Sequence, residues 1–436
     1  MTEVSSMKQI PKGRWLRIIP PMIIIYVISY MDRMNISFAM AGGMNEALGI
    51  SMTVSGFAAG IFFVGYMFLQ IPGGYIADHG SAKRFILWTI IAWGGLSTLT
   101  AFVQNEWQLL TMRFLLGVAE GGLWPAILVI LSNWFPEKEI GRANALFMSS
   151  IAIAAVVASP LSGWLVQAYS WRGMFFVEGI LSLAMIFFWL PLISDRPQDA
   201  KWISKEEKEF LIETISKERG EVKGQIKPTV SYKDLMSDIN LWKMTLIYFA
   251  LQTGRLGFML WLPTIVKNLT KMGIASVGLL SAGPYLAAII GMYMFSAMSD
   301  KNLNRRLYTV ITAVGFGIFF WLSTQFPNQV WLSYVLLIGT GFFTLSMLPV
   351  YWSMPPLLFA PGSSGAVRGF INALGGLGGF VGPLLFGWVA TTFGISYGVY
   401  CLVFFLILGA ATCMTLPKIT AGVRDMSNPM SHSTKC

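Results

Sequence analysis

The sequence predicts an all-α membrane protein of twelve transmembrane helices, arranged as two pseudo-symmetric halves of six. Three observations carry this. Of the 436 residues, 55% are hydrophobic and only 12% charged, about half the charge of a soluble domain, and mean hydropathy is +0.62. Twelve apolar stretches follow one another, each of the length needed to cross a hydrocarbon core roughly 30 Å thick. Landmarks of the first half also recur in the second at an offset near 222 residues.

The stretches lie at 18–40, 54–77, 85–103, 107–132, 143–168, 173–193, 244–266, 274–298, 307–325, 329–358, 369–392 and 395–416. The first meets Asp32 and Arg33 where a signal peptide would need an unbroken apolar core, so it reads as a retained span. Twelve spans return both termini to one side. Of the 31 basic residues, 25 fall on that side, three on the other (Arg172, Lys267, Lys271) and three within spans (Arg33, Arg113, Arg255). The positive-inside rule therefore puts both termini in the cytoplasm. Ten of the 25 lie between Ile193 and Met244, so the net charge of +10 orients the chain in the bilayer and calls for no nucleic-acid partner. Cys401, Cys413 and Cys436 show no metal or disulfide spacing, and no metal or cofactor is expected.

The polar stretch in the middle divides the chain into a first half, 1–193, a linker, 194–243, a second half, 244–416, and a tail, 417–436. Within the linker, Ser204 to Gly220 has a capping serine, Glu207 three residues on, and apolar Phe210, Ile212 and Ile215. It predicts a short surface helix, read as a solvated tether without a part in transport.

The repeat is explicit. Asp78, Lys83 and Arg84 follow the second span as Asp300, Arg305 and Arg306 follow the eighth; Arg33 aligns with Arg255, Gly117 with Gly339 and, one residue further, Pro160 with Pro383. An even number of spans per half makes the copies parallel, related by an axis normal to the membrane.

Ionisable groups at membrane depth are costly and mark function. Tyr26, Ser29, Tyr30, Arg33 and Ser37 share one face of span one, while Asp32 and Asn35 lie about 100° away. Arg113, Gly117, Glu120 and Trp124 share a face of span four; Tyr248, Gln252, Arg255 and Met259 share one of span seven. Lipid cannot hydrate these groups, so all three faces should look into a common cavity. Glu178 is a further acid, nearer the outer end of span six. Three arginines against Asp32 and Glu120 leave the core at +1 with both acids ionised and +3 with both protonated. A carboxyl group in a dry site takes up a proton more readily than in water, whereas arginine stays charged. Proton and anion therefore favour one another's binding, the linkage a symporter needs. Arg113 is either part of the anion site or a permanent partner of Asp32; Arg255 is a ligand, a counter-charge or a gate. Pro349, Pro355 and Pro356 beside Tyr351, Trp352 and Ser353, and the glycine-rich run Gly369–Gly382 around Asn372, predict interrupted helices. Ser353 and Asn372 are either ligands there or packing residues. No histidine lies within a span, which removes the usual hydrolytic chemistries.

The loop Gly74, Asp78, Lys83, Arg84 resembles the signature of the major facilitator superfamily, with His79 replacing the usual base and the loop glycine at Gly80. Asp32-Arg33-Met34-Asn35-Ile36, Arg113 through Glu120, Trp134-Phe135-Pro136, Trp171-Arg172-Gly173 and Asp195-Arg196-Pro197 are similar to the anion:cation symporters of organic acids. The resemblance is dense in the first half and linker and thin in the second. It implies a bacterial inner-membrane carrier, a monomer, that imports a sugar acid or hydroxycarboxylate with protons by alternating access; an aromatic acid is the alternative cargo. It further implies that Arg33 holds the substrate carboxylate, that Asp32 and Glu120 couple to protons, and that Tyr30 and Tyr66 line the cavity. Asp78, Lys83 and Arg84, with Asp300, Arg305 and Arg306, would gate the cytoplasmic side.

Overall fold

The computed structural model describes residues 13–224, 236–359 and 364–417, and every regular element among them is helical. Nine helices of the described residues are long and apolar enough to cross a membrane. One of them, Glu137–Leu192, is broken at Ser170 (φ 65, ψ 173) into spans five and six, and Ala82–Thr100 and Ile239–Thr270 complete the twelve as spans three and seven. The others are Gly13–Ala39, Met52–His79, Glu106–Trp134, Ile274–Asn302, Arg305–Leu322, Val330–Leu358, Val367–Phe393 and Ile395–Met414. Side-chain oxygens cap several N-termini: Ser51, Ser81, Asn105 and Asn304 each accept from the amide three residues on.

The interruptions fall where proline and glycine foretell them. Span ten is three pieces, Val330–Thr344, Met347–Trp352 and Pro355–Leu358, and span eleven is two, Ser364–Gly376 and Gly378–Phe393. Span one winds into a π turn at Met40–Met44, where Gly43 has φ 102.

Packing repeats with the sequence. Span one lies against the span-five/six helix and span two against span four; in the second half seven lies against eleven and eight against ten. The halves meet through equivalent pairs, two with eleven and eight with five. These seams are tight on the face away from the termini. A Cβ at Gly56 would stand 2.3 Å from the Pro383 carbonyl oxygen, and one at Gly278 would stand 2.5 Å from that of Ser159. Hydrogen bonds cross there too: Thr53 to Thr391 (3.1 Å), Lys267 Nζ to the Ala41 carbonyl (2.6 Å) and the Ala275 amide to Gln167 (3.1 Å). On the terminus face the carboxylates of Asp78 and Asp300 are 66% and 68% exposed. The seams are thus closed at the span ends away from the termini, while the loop acids at the terminus-side ends face solvent.

The linker helix runs Lys205–Gly224. Ser204 accepts from the Glu207 amide (3.2 Å), but the Glu207 carboxylate does not return to complete a capping box. It turns inward to Arg14 (2.5 Å), and Glu139 takes the guanidinium's other arm (2.8 Å). Arg14, Glu207 and Leu211 are fully buried, and Trp202 stacks on Trp134 at 5.1 Å. The expected solvated tether is instead a helix docked on the first half. The tail expected at 417–436 lies, but for its first residue, outside the described residues.

Candidate functional site within the membrane

Span one presents polar groups on two faces, and each finds a different set of partners. On the first, Arg33 Nη2 donates to Glu120 Oε2 (3.0 Å), which also accepts from Ser29 Oγ (3.0 Å). The Arg33 guanidinium stands 4.8 Å from the Tyr66 ring, 5.2 Å from Phe62 and 5.4 Å from Tyr30. Cation–π contact with three rings is a way to hold a charge in a desolvated place without spending its donors.

Arg113 comes to the same ring from span four, its guanidinium 5.1 Å from Phe62. It is 1% exposed, and its Nε and Nη1 have no hydrogen-bond partner. Arg33 Nε and Glu120 Oε1 are likewise buried without one. Phe62 thus gathers two guanidinium groups whose donors are only partly used by the protein. Phe62 also meets Phe63 (5.3 Å), which closes against Gly379 of span eleven, so this cluster borders the seam between the halves.

On the second face Asp32 is wholly buried and accepts from Ser97 (2.5 Å) and Asn35 (2.7 Å). No ion pair joins it to Arg113, so the structural pairing open to Arg113 in the sequence is not formed. The Asn35 amide also donates to Glu178 (3.0 Å), which accepts from Ser162 (2.8 Å).

In the second half Arg255 is 8% exposed and bonds along its own helix, to Gln252 Oε1 (2.8 Å) and Met259 Sδ (3.3 Å). Tyr248 hydroxyl reaches Asn372 (3.4 Å) and its ring stacks on Tyr351 (5.3 Å) beside Trp352 (4.9 Å). Ser353 donates to its own helix at Val350 (2.6 Å). The structure therefore groups Tyr30, Arg33, Tyr66, Arg113 and Glu120; separately it groups Gln252 with Arg255 and Tyr248 with Asn372, and it leaves Ser353 bonded within its own helix.

The loop residues expected at the gate are spread out in this state. Among the described residues Asp78 has an ion-pairing partner only in its neighbour His79 (3.9 Å), whereas Asp300 pairs with Arg305, which also reaches Ser299 (3.0 Å). Lys83 donates to the Leu190 carbonyl (2.6 Å) at the end of span six, and Arg306 donates to those of Met414 and Leu416 at the end of span twelve. Each base caps the last span of its own half, where a helix C-terminus favours positive charge. Arg84 is exposed. Asp195, in the sequence only part of the family-like Asp195-Arg196-Pro197, accepts from Ser81 (2.5 Å) and the Lys83 amide (2.7 Å) and pins the first loop to the linker.

The pattern of the Major Facilitator Superfamily matches residues 22–275 and 244–428. This chain belongs to that superfamily. It is 34% identical over 434 residues to a putative tartrate transporter of Agrobacterium vitis, covering 96% of each chain. It is 26% identical over 398 residues to the probable galactarate/D-glucarate transporter GudP of Escherichia coli strain K12, covering 87% and 88%. In three dimensions it matches a bacterial homologue of the human lysosomal transporter Spinster, in an inward-facing and occupied conformation, with TM-score 0.77 at 14% identity over 93% of this chain and 97% of that one. The chain is thus a multi-pass membrane transporter of this superfamily and not an enzyme.

Proposed function

We propose that this transporter carries a sugar acid or hydroxycarboxylate into a bacterial cell across the cytoplasmic membrane, with protons, by alternating access. The observation that carries the reading is the pair of guanidinium groups on Phe62, Arg33 and Arg113, whose buried Nε atoms, with Nη1 of Arg113, have no partner among the described residues. A carboxylate suits such forks, which offer two parallel donors. The relatives named for tartrate and for galactarate and glucarate support hydroxylated acids of this kind. The basic residues gathered on the terminus side support cytoplasmic termini.

Coupling follows from Glu120. While ionised, it occupies Arg33 and partly cancels its charge; once protonated, it releases that donor to an incoming anion. Proton and anion then bind with mutual assistance. With the far side sealed, the next step is release of both toward the termini. The rings that an aromatic acid would need are committed to one another: Tyr351 and Trp352 pack on Tyr248, and Trp124 packs on Tyr26 (5.2 Å) and Phe147 (4.9 Å). This favours the aliphatic acids.

The test is a binding and uptake panel with purified protein, comparing tartrate, galactarate and glucarate with benzoate-type acids in vesicles under an imposed proton gradient. Uptake of a hydroxylated acid that rises with inward acid gradient supports the reading. Uptake confined to aromatic acids, or indifferent to the gradient, rejects it.

A further inference from the structure

Among the buried groups, one acid has no place in the coupling described so far. Glu178 of span six is 1% exposed, and its two oxygens accept from Ser162 of span five and Asn35 of span one. The same Asn35 nitrogen donates to Asp32 (2.7 Å), which is itself held by Ser97 of span three. Four helices thus converge on two carboxyl groups that share a single amide nitrogen, on the face of span one turned away from the Arg33 stripe. Among the described residues neither acid has a basic group within ion-pairing distance.

The geometry points to Asp32 and Glu178 acting as one proton-holding pair bridged by Asn35, so that Glu178 is a third coupling acid, separate from the anion pocket. This rests on the proton-coupled reading above. One shared amide nitrogen and a serine hydroxyl at each acid, all neutral donors, do not offset two full negative charges in a dry interior, and an uncompensated buried charge is strongly disfavoured. The pair therefore holds at least one proton while the far side is sealed. The orphan atoms agree: Asp32 Oδ2 and Asn35 Oδ1 are buried and lack partners, leaving an unused acceptor on the bridging amide and another on the Asp32 side of it. The charged groups whose fields reach the pair are Arg113 from span four and Glu120, which act on Asp32; at Glu178 the interacting groups are Ser162, Asp32 and Asn35. Since Asp32 adjoins Arg33 in the chain, an anion on one face of span one and a proton on the other are linked through one helix. A rocking movement of that helix would alter both.

The experiment uses the full-length protein in vesicles and measures protons per anion from the reversal potential, together with the pH profile of uptake. Glu178→Gln keeps an acceptor oxygen for Asn35, sets its amide against the Ser162 hydroxyl, which can accept as well as donate, and cannot carry a proton. It is expected to lower the proton-to-anion ratio by about one and to cut gradient-driven accumulation at least tenfold, while anion counterflow falls less than threefold. Glu178→Asp keeps the acid but draws it back from Asn35, and should retain coupling with a displaced pH midpoint. If the Gln variant does not fold, the Asp profile decides: an unmoved midpoint overturns the proposal. A wild-type ratio and pH profile in Glu178→Gln also overturns it, while leaving proton coupling through Glu120 intact. Absence of any proton-driven uptake in the wild type would instead remove the underlying function.

Discussion

Arg33 shows how much of a site one side chain's spacing reveals. Its face of span one, with Ser29 and Tyr30, follows from helical periodicity alone, and the partner acid Glu120 was legible as an inward group of span four. Phe62 was not legible, because a phenylalanine in an apolar helix carries no sign that two guanidinium groups rest on its ring. Ser97 and Ser162 were equally silent, since a serine acquires its role only from what another helix brings to it. Two predictions belong at this scale. Arg33→Ala should abolish anion binding as well as transport, because it removes donors to the carboxylate and leaves Glu120 without its cation; titration calorimetry that finds wild-type affinity would reject the assignment. Glu120→Gln keeps the Ser29 contact and nearly the same volume while fixing the neutral state. It should bind the anion and exchange it by counterflow, yet fail to accumulate it. Normal proton-driven accumulation by this variant would sink the coupling role, and failure to fold would indicate that Glu120 serves mainly to neutralise Arg33.

At the scale of elements, boundaries and breaks were read well because their causes are local. Prolines at 349, 355 and 356 and glycines around Leu377 divide spans ten and eleven where expected. The linker helix was also foreseen, with its capping serine, but its docking was not. Glu207 read as half of a capping box because the rule sees only three residues, whereas its actual partner, Arg14, lies 193 residues away in the sequence. Removing that carboxylate leaves a buried guanidinium held by Glu139. Glu207→Ala should therefore cost about 1.5–3 kcal/mol, the range for a hydrogen bond to a charged group. It should lower the melting temperature of the detergent-solubilised protein without changing anion affinity. An unchanged melting temperature would return the linker to the status of a tether.

At the scale of the molecule, the repeat foretold the symmetric seams but could not say which of two alternating states the chain adopts, because both use the same contacts in exchange. The far-side seal depends on glycines with no room for a side chain, and the proposed terminus-side lock depends on Asp78, which here faces solvent. Substitutions at these two places should push the equilibrium in opposite directions. Gly56→Leu drives a side chain into the Pro383 carbonyl only when the far side is shut, so it should disfavour the present state. Asp78→Asn weakens an interaction made only when the terminus side is shut, so it should favour the present state while leaving anion binding in place. Each 1.4 kcal/mol of bias changes the ratio of states about tenfold, enough to read as populations. Spin labels on Gly141→Cys and Gly369→Cys suit the measurement. A Cβ at either meets open space, and the two sites sit at the terminus-side ends of spans five and eleven in opposite halves; Cys401, Cys413 and Cys436 would first be replaced by serine. Gly56→Leu should enrich short distances, Asp78→Asn long ones, and the double variant should fall between them. Shifts in the same direction for both single variants would show that these residues do not oppose one another across a rocking axis.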